Sequence, residues 1–350
     1  MPSASPSRIT GVRPLWAVEG GRLTITGSGF SLDPLPDLRI GGTAARFACA
    51  SSQALSVMVP SGLDGGRTPI RIDTAPGETA YVEVGAPLAT GLHQVDNPAF
   101  DREGNLYVTF SGSRGQETPV SIFVVRRDGS REPFVSGIPN PTSLAFDREG
   151  RLHVSSRFDG TVYRIDDDGT PVVVASELGV ACGIAFDQEG TLFVGDRSGS
   201  ILRVMDGKAE TVAILPASVA AFHLAFGPDG DLFVTGPTLG THDSVYRIAR
   251  DGGVEVFYDG FGRPQGLAFD ETGRLYVVDA LAGRGGVYRF DSERRSSEDR
   301  HGEPGAPEQL VAAGGLVGLA FSTDGTLALA SSDTAYRLDA GVGGLLPFRS

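Results

Sequence analysis

Apolar and polar positions along the chain recur as one short phrase. The segment beginning at residue 144 reads LAFDREGRLHV. Near-copies begin at residues 98 (PAFDREGNLYV), 184 (IAFDQEGTLFV), 224 (LAFGPDGDLFV), 267 (LAFDETGRLYV) and 319 (LAFSTDGTLAL). With the phenylalanine as marker, Phe100, Phe146, Phe186, Phe226, Phe269 and Phe321 are spaced by 46, 40, 40, 43 and 52 residues. A period of this length marks a repeat architecture in which each unit is one supersecondary module. Within a unit the pattern predicts an apolar strand (LAF), a turn (Asp-x-x-Gly) and a second strand (LHV, LFV). A third strand reads VYRI, ILRV or VYRF, and a fourth reads PVVVAS or VEVFYDG. In the turn, the Asp side chain can accept from backbone N–H groups two residues on, and Gly tolerates positive φ. Six four-stranded units predict a six-bladed β-propeller over residues 98–350, since a single blade has two apolar faces that only neighbours can cover.

Residues 1–85 lack the repeat. Their phrases, ITGVRPLWAVEGGRLTITGSGF, LRIGGTAARF, LSVMVPSGL and TPIRIDTAPGETAYVEV, alternate at Leu23 and Ile25 and again at Ile70 and Ile72, with glycine turns between. This predicts a small β-sandwich, and residues 86–97 (APLATGLHQVDN) read as a linker. The last blade is expected to supply its own outer strand from LLPF, residues 345–348. Residues 291–308, charged and without a large apolar residue, predict a mobile excursion from the fifth blade, with His301 solvated.

The chain of 350 residues carries a formal charge of −13. That acidity argues against nucleic acid as a partner, because the average field repels a polyanion. No run approaches the length of a membrane span and the start MPSASPSRIT lacks a signal-peptide pattern, so cytoplasmic location without membrane insertion is the default; a start site placed too far downstream would allow secretion or the cell envelope. Cys49 and Cys182 fall in different predicted domains and are expected to be free thiols.

The order Pro, Gly-Gly, ITGSGF, GG, VP over roughly residues 8–85 resembles the IPT/TIG immunoglobulin-like domain. The resemblance implies a spacer or binding module of the kind found in bacterial surface proteins; the DNA-contacting use known in that family is incompatible with the acidity. Residues 95–350 resemble NHL-repeat propellers and, more loosely, the gluconolactonase/regucalcin superfamily. This second resemblance implies either a recognition surface or a lactonase that uses a divalent cation such as calcium to polarise a carbonyl. In that superfamily the ligands sit at inner-strand entrances, often in an NGL phrase. Here those positions read TSL, CGI, FHL, QGL and VGL, and only Asp96 with Asn97 offers good oxygen donors.

In a propeller the residues before LAF and those after the second strand share one rim of the channel. Four positions before the marker stand Asp96, Thr142, Cys182, Phe222, Gln265 and Val317; three before it stand Asn97, Ser143, Gly183, His223, Gly266 and Gly318. Past the second strands lie Asp196 and Asp279, with Arg157, Arg114, Arg197 and Arg284 in loops. The candidate ligand-binding set is therefore Asp96, Asn97, Ser143, Arg157, Asp196, His223, Gln265 and Asp279. It implies a non-catalytic protein that binds a protein, glycan or small molecule on this top face, without cofactor and without catalytic residues. The alternative is a lactonase-type hydrolase with a displaced metal site on Asp96, Asp196 and Asp279. A third reading is a structural component of the surface or envelope. Cys182 becomes a nucleophile only if His223 lowers its pKa; otherwise it is a small rim residue.

Overall fold

The computed structural model describes residues 7–116, 118–281, 283–291 and 305–345. Most of the excursion predicted at 291–308, His301 included, lies outside them. Every regular element among the described residues is a strand. The N-terminal strands form two facing sheets. One orders Arg8–Arg13, Arg22–Ser28, Ala54–Met58 and Arg46–Ala50; the other carries Ala80–Val84, Gly66–Ile72, Leu38–Ile40 and Thr43–Ala44. Leu23, Ile25, Ile70 and Ile72 all point into the core between them, as the alternation predicts.

The rest of the chain folds into six four-stranded antiparallel blades. Their inner strands touch in sequence, and the sixth touches the first, so the ring is closed. Six apolar clusters lie in this part of the chain, each built from two consecutive blades. The repeated phrase accounts for them. The marker phenylalanine of each blade meets, edge to face, the middle residue of the second strand in the blade before: Tyr107 with Phe146, His153 with Phe186, Phe193 with Phe226, Phe233 with Phe269 and Tyr276 with Phe321, at centroid distances of 5.4, 4.8, 5.1, 5.0 and 4.8 Å. Such pairs contribute about 0.5–1.5 kcal/mol beyond their buried area. At the sixth interface the middle residue is Ala328, which shares a cluster with Phe100 and with Ala89 from the N-terminal side.

Ala89 marks a departure from the sequence expectation. The outer strand of the last blade is not LLPF but Ala86–Ala89, which pairs antiparallel with Ala335–Asp339. The segment predicted as a linker therefore closes the ring, joining the beginning of the propeller to its end. Leu345 instead donates its backbone N–H to Phe269 O in the fifth inner strand, 2.9 Å away; residues 346–348 lie outside the described residues. The two domains also share a sheet. Trp16–Ala17 runs parallel to both Ala80–Val84 of the sandwich and Glu308–Ala312 of the fifth blade, giving nine continuous strands. Val18, one residue on, is buried among side chains of the fifth and sixth blades.

The turns follow the predicted chemistry. Asp147 Oδ1 accepts from Glu149 N at 3.1 Å and from Arg151 N at 2.9 Å, and Gly150 has φ +83°. Asp187 and Asp270 accept in the same way. These carboxylates hold hairpins on the face opposite the candidate rim.

His153 occupies an aromatic position of the repeat and is 4% exposed. Burial pushes its pKa below the ordinary 6.5, against the opposing pull of the nearby Asp147 carboxylate. The unfolded chain then binds a proton that the folded state resists, so stability should fall as pH drops below 6.5. His153→Phe keeps the ring contact with Phe186 and removes this term. Thermal midpoints followed from pH 7.5 to 5 should diverge in favour of the variant, by on the order of 1–2 kcal/mol at pH 5. Parallel curves would show that the imidazole carries no such penalty.

Candidate functional site

The site is built where the inner strands begin. Pro141 lies opposite Ser156, Ala181 opposite Asp196, Pro264 opposite Asp279 and Leu316 opposite Ser331, so strand starts and second-strand ends meet at one end of the channel. In each of these four pairs the register slips before the LAF phrase, which places Thr142 and Ser143, Cys182 and Gly183, Gln265 and Gly266, or Val317, in a bulge. A bulge adds a residue to one strand and re-aims its side chains.

Of the six positions three before the marker phenylalanine, three (Gly183, Gly266 and Gly318) are glycine because backbone passes too close for a Cβ. A Cβ on Gly183 would stand 2.4 Å from Phe222 O, and one on Gly318 would stand 2.6 Å from Asn97 Cα. The other three carry polar groups that tie blades together. Asn97 donates from Nδ2 to Leu267 O at 3.1 Å and accepts at Oδ1 from Leu319 N at 3.0 Å, joining the fifth and sixth inner strands. Ser143 Oγ accepts from Ile184 N at 3.1 Å. His223, fully buried, faces Asp96 Oδ1 through Nδ1 and lies 3.2 Å from Gln265 Oε1 through Nε2.

Asp96 is 2% exposed, and its Oδ1 also accepts from Asn97 N at 2.6 Å. Its second oxygen, Oδ2, is buried with no hydrogen-bond partner in the protein. A carboxylate oxygen out of water and unpaired is costly, so such an atom points to a missing donor. Gln94 Oε1 and Ser111 Oγ are in the same state. Both lie beside the rim, since Gln94 donates from Nε2 to Ser331 O and Ser111 N donates to His93 O. Below this level the channel holds a cavity of 410 Å³ reaching from Asn97 and Ser143 to Leu345, walled in large part by the leucines and alanines of the repeat.

The structure thus brings Asp96, Asn97, Ser143, His223 and Gln265 together. It assigns Asp196 and Asp279 to other work: Asp196 Oδ1 accepts from Val180 N at 2.8 Å, and Asp279 accepts from Gly262 N, Arg263 N and Leu281 N. Each caps its own loop. Among the described residues no group of three or more His, Cys, Asp or Glu side chains could hold a metal ion. The displaced site on Asp96, Asp196 and Asp279 is therefore not assembled. The divalent cation implied by the lactonase resemblance does not fit this donor set either, because the Asn97 amide is already committed to two inner strands.

Phe222, placed on the rim by its position, instead packs into the interface between the third and fourth blades. Cys182 is 1% exposed, and burial, then the Asp96 charge, pushes its thiol up to about 12. His223 turns its nitrogens to Asp96 and Gln265. A thiolate nucleophile is not supported.

Sequence reasoning missed His93, Gln94 and Ser111. The polar run HQVDN directly before the first inner strand was the signal for His93 and Gln94, hidden by its reading as linker; Ser111 opens the loop after the second strand of the same blade.

Residues 6–83 match the family model described as IPT/TIG domain. No curated protein matches the chain significantly. Among solved structures, a calcium-binding protein, regucalcin, from Agrobacterium tumefaciens is 18% identical, with a TM-score of 0.58 over 76% of this chain and 96% of that one. A gluconolactonase from Xanthomonas campestris is also 18% identical, with a TM-score of 0.55 over 72% and 88%. An auxiliary nutrient binding protein from Bacteroides ovatus is 14% identical, with a TM-score of 0.52 over 95% and 98%. At these identities the likeness is one of fold: an IPT/TIG-type sandwich leading into a β-propeller shared by lactonases and binding proteins alike.

Proposed function

We propose that this protein is a non-catalytic binding protein whose NHL-type propeller takes a small molecule at the end of the channel lined by Asp96, His223 and Gln265. The observation that carries this reading is the buried, unpartnered Asp96 Oδ2, held in place by His223 and Asn97. A ligand hydroxyl donated to that oxygen would satisfy it, and Gln265 offers a second polar contact. Likeness to both nutrient-binding and lactonase structures is compatible with the reading; that no set of side chains among the described residues fits a divalent cation weighs toward binding.

The test is calorimetry and thermal shift with sugars, sugar acids and sugar lactones, each with and without calcium, magnesium, manganese and zinc. Binding is expected without metal and without turnover. Asp96→Asn should weaken it by roughly tenfold, the effect of losing a hydrogen bond to a charged group. Metal-dependent hydrolysis of a lactone, abolished by Asp96→Ala, would establish the lactonase reading instead.

A further inference from the structure

One arc of the upper rim carries three arginines in a protein whose formal charge is −13. Arg157 and Arg197 each follow the last residue of a second strand, Ser156 and Asp196, in neighbouring blades, and Arg114 lies in the corresponding loop of the blade before. Hydrogen bonds hold the Arg114 and Arg157 loops together. Asn140 accepts at its backbone O from Arg157 N, donates from Nδ2 to Ser111 O and Ser113 O, and accepts at Oδ1 from Gly115 N. Gly115 also lies against the Phe158 ring.

On the opposite face arginines are answered by carboxylates, as in Arg127 with Asp324, Arg151 with Asp147 and Arg247 with Asp231. Among the described residues Arg114, Arg157 and Arg197 form no ion pair. Arg157 is only partly exposed. Its guanidinium is held below the ordinary range by burial, and further by the positive charges of Arg197 and Arg114, with no carboxylate acting on it. The same guanidinium, after burial, lowers the His93 ring's affinity for a proton. A half-buried Arg157 with the like charges of the exposed Arg197 and Arg114 near it and no counter-ion is unfavourable by itself, and an oxyanion relieves the arrangement.

We propose that Arg157, with Arg197 and Arg114, receives the oxyanion end, carboxylate or phosphate, of a small hydroxylated ligand whose hydroxyls satisfy the unpartnered acceptors Asp96 Oδ2 and Gln94 Oε1. The donors at the rim call for an anion and the orphaned acceptors at the channel call for hydroxyls, so one ligand carrying both fits the two halves. This rests on the binding reading above and specifies the class of ligand.

Glucuronate, glucose 6-phosphate and glucose, titrated calorimetrically into the full chain at low and high salt, separate carboxylate, phosphate and neutral cases. At least one anionic probe should bind about tenfold or more tightly than glucose, with the advantage shrinking as salt rises. Arg157→Gln should weaken the anion by about tenfold or more and leave glucose unchanged, and Arg157→Lys should restore part of the loss. The variant's thermal midpoint should not fall, since the side chain it removes has no protein partner for its charge. Glucose binding as tightly as both anions, or Arg157→Gln weakening all probes alike, overturns the anion assignment and leaves the binding reading standing. Failure of every probe, neutral included, to bind or to raise the thermal midpoint overturns both.

Discussion

Gly266→Val is expected to prevent this chain from reaching its native fold. Gly266 lies in the bulge of the fifth inner strand, where a Cβ would stand 2.1 Å from Asn97 Oδ1 and 2.5 Å from Gly318 Cα. One obstacle is backbone, so it cannot turn aside. The other is a side chain already bound to Leu267 O and Leu319 N, and moving it strands both groups in the interior. Each stranded group costs about 1–3 kcal/mol, and overpacking adds a similar amount. The sum reaches a large share of the 5–15 kcal/mol typical of a domain's whole stability, as an order-of-magnitude comparison. By contrast Gly253→Ala, in a turn where the nearest atom is a side-chain oxygen of Asp251 at 3.2 Å, should change stability by less than about 1 kcal/mol. Denaturant unfolding of the two variants checks the claim. A Gly266→Val protein with a native transition midpoint would mean that the inner strands are not as closely packed as the ring requires.

That pair also shows how much of the architecture was legible from the residues. Repetition of LAF and Asp-x-x-Gly disclosed the blades because each copy solves the same local problem: an aromatic must meet the next marker phenylalanine, and a tight turn must satisfy its own N–H groups. Closure was not legible. Ala86–Ala89 is four residues long, contains Pro87 and has one buried side chain, Ala89. Its partner strand lies some 250 residues away, at Ala335–Asp339, and no local pattern encodes so distant a pairing. LLPF was apolar and nearer, so it took the part on composition alone.

The site was legible in the same partial way. Position relative to the marker picked out Asp96, Asn97, Ser143, His223 and Gln265, since every blade delivers that position to the same end. Pairing of His223 with Asp96 across 127 residues was beyond reach. So was the engagement of Asp196 and Asp279, because whether a carboxylate faces a channel or caps a loop depends on where backbone N–H groups of the preceding segment fall. The rim arginines were legible by position, Arg157 among the candidate contacts, but their lack of carboxylate partners was not: pairing depends on which side chains meet in space, and a formal charge averages over the surface.

Closure carries the second large expected effect. Two shortened chains, one beginning at residue 84 and one at residue 91, both lack the sandwich and differ by residues 84–90, which carry the strand Ala86–Ala89. The longer keeps a four-stranded sixth blade. The shorter leaves Ala335–Asp339 as an open edge with unpaired N–H and C=O groups, and uncovers the cluster in which Ala89 packs with Leu106, Val108 and Ala335. Losing the ladder bonds costs on the order of 1 kcal/mol each. An exposed edge strand beside freed apolar surface then offers a template to other copies of the chain. The shorter chain should therefore aggregate, or melt well below the longer one, by roughly 10 °C or more if a few kcal/mol are lost. Both chains expose the fifth-blade strand Glu308–Ala312 that had paired with Trp16–Ala17, so this shared loss cancels in the comparison. Equal solubility and equal thermal midpoints would show that the ring holds without its N-terminal clasp, and that the six interfaces between blades are enough.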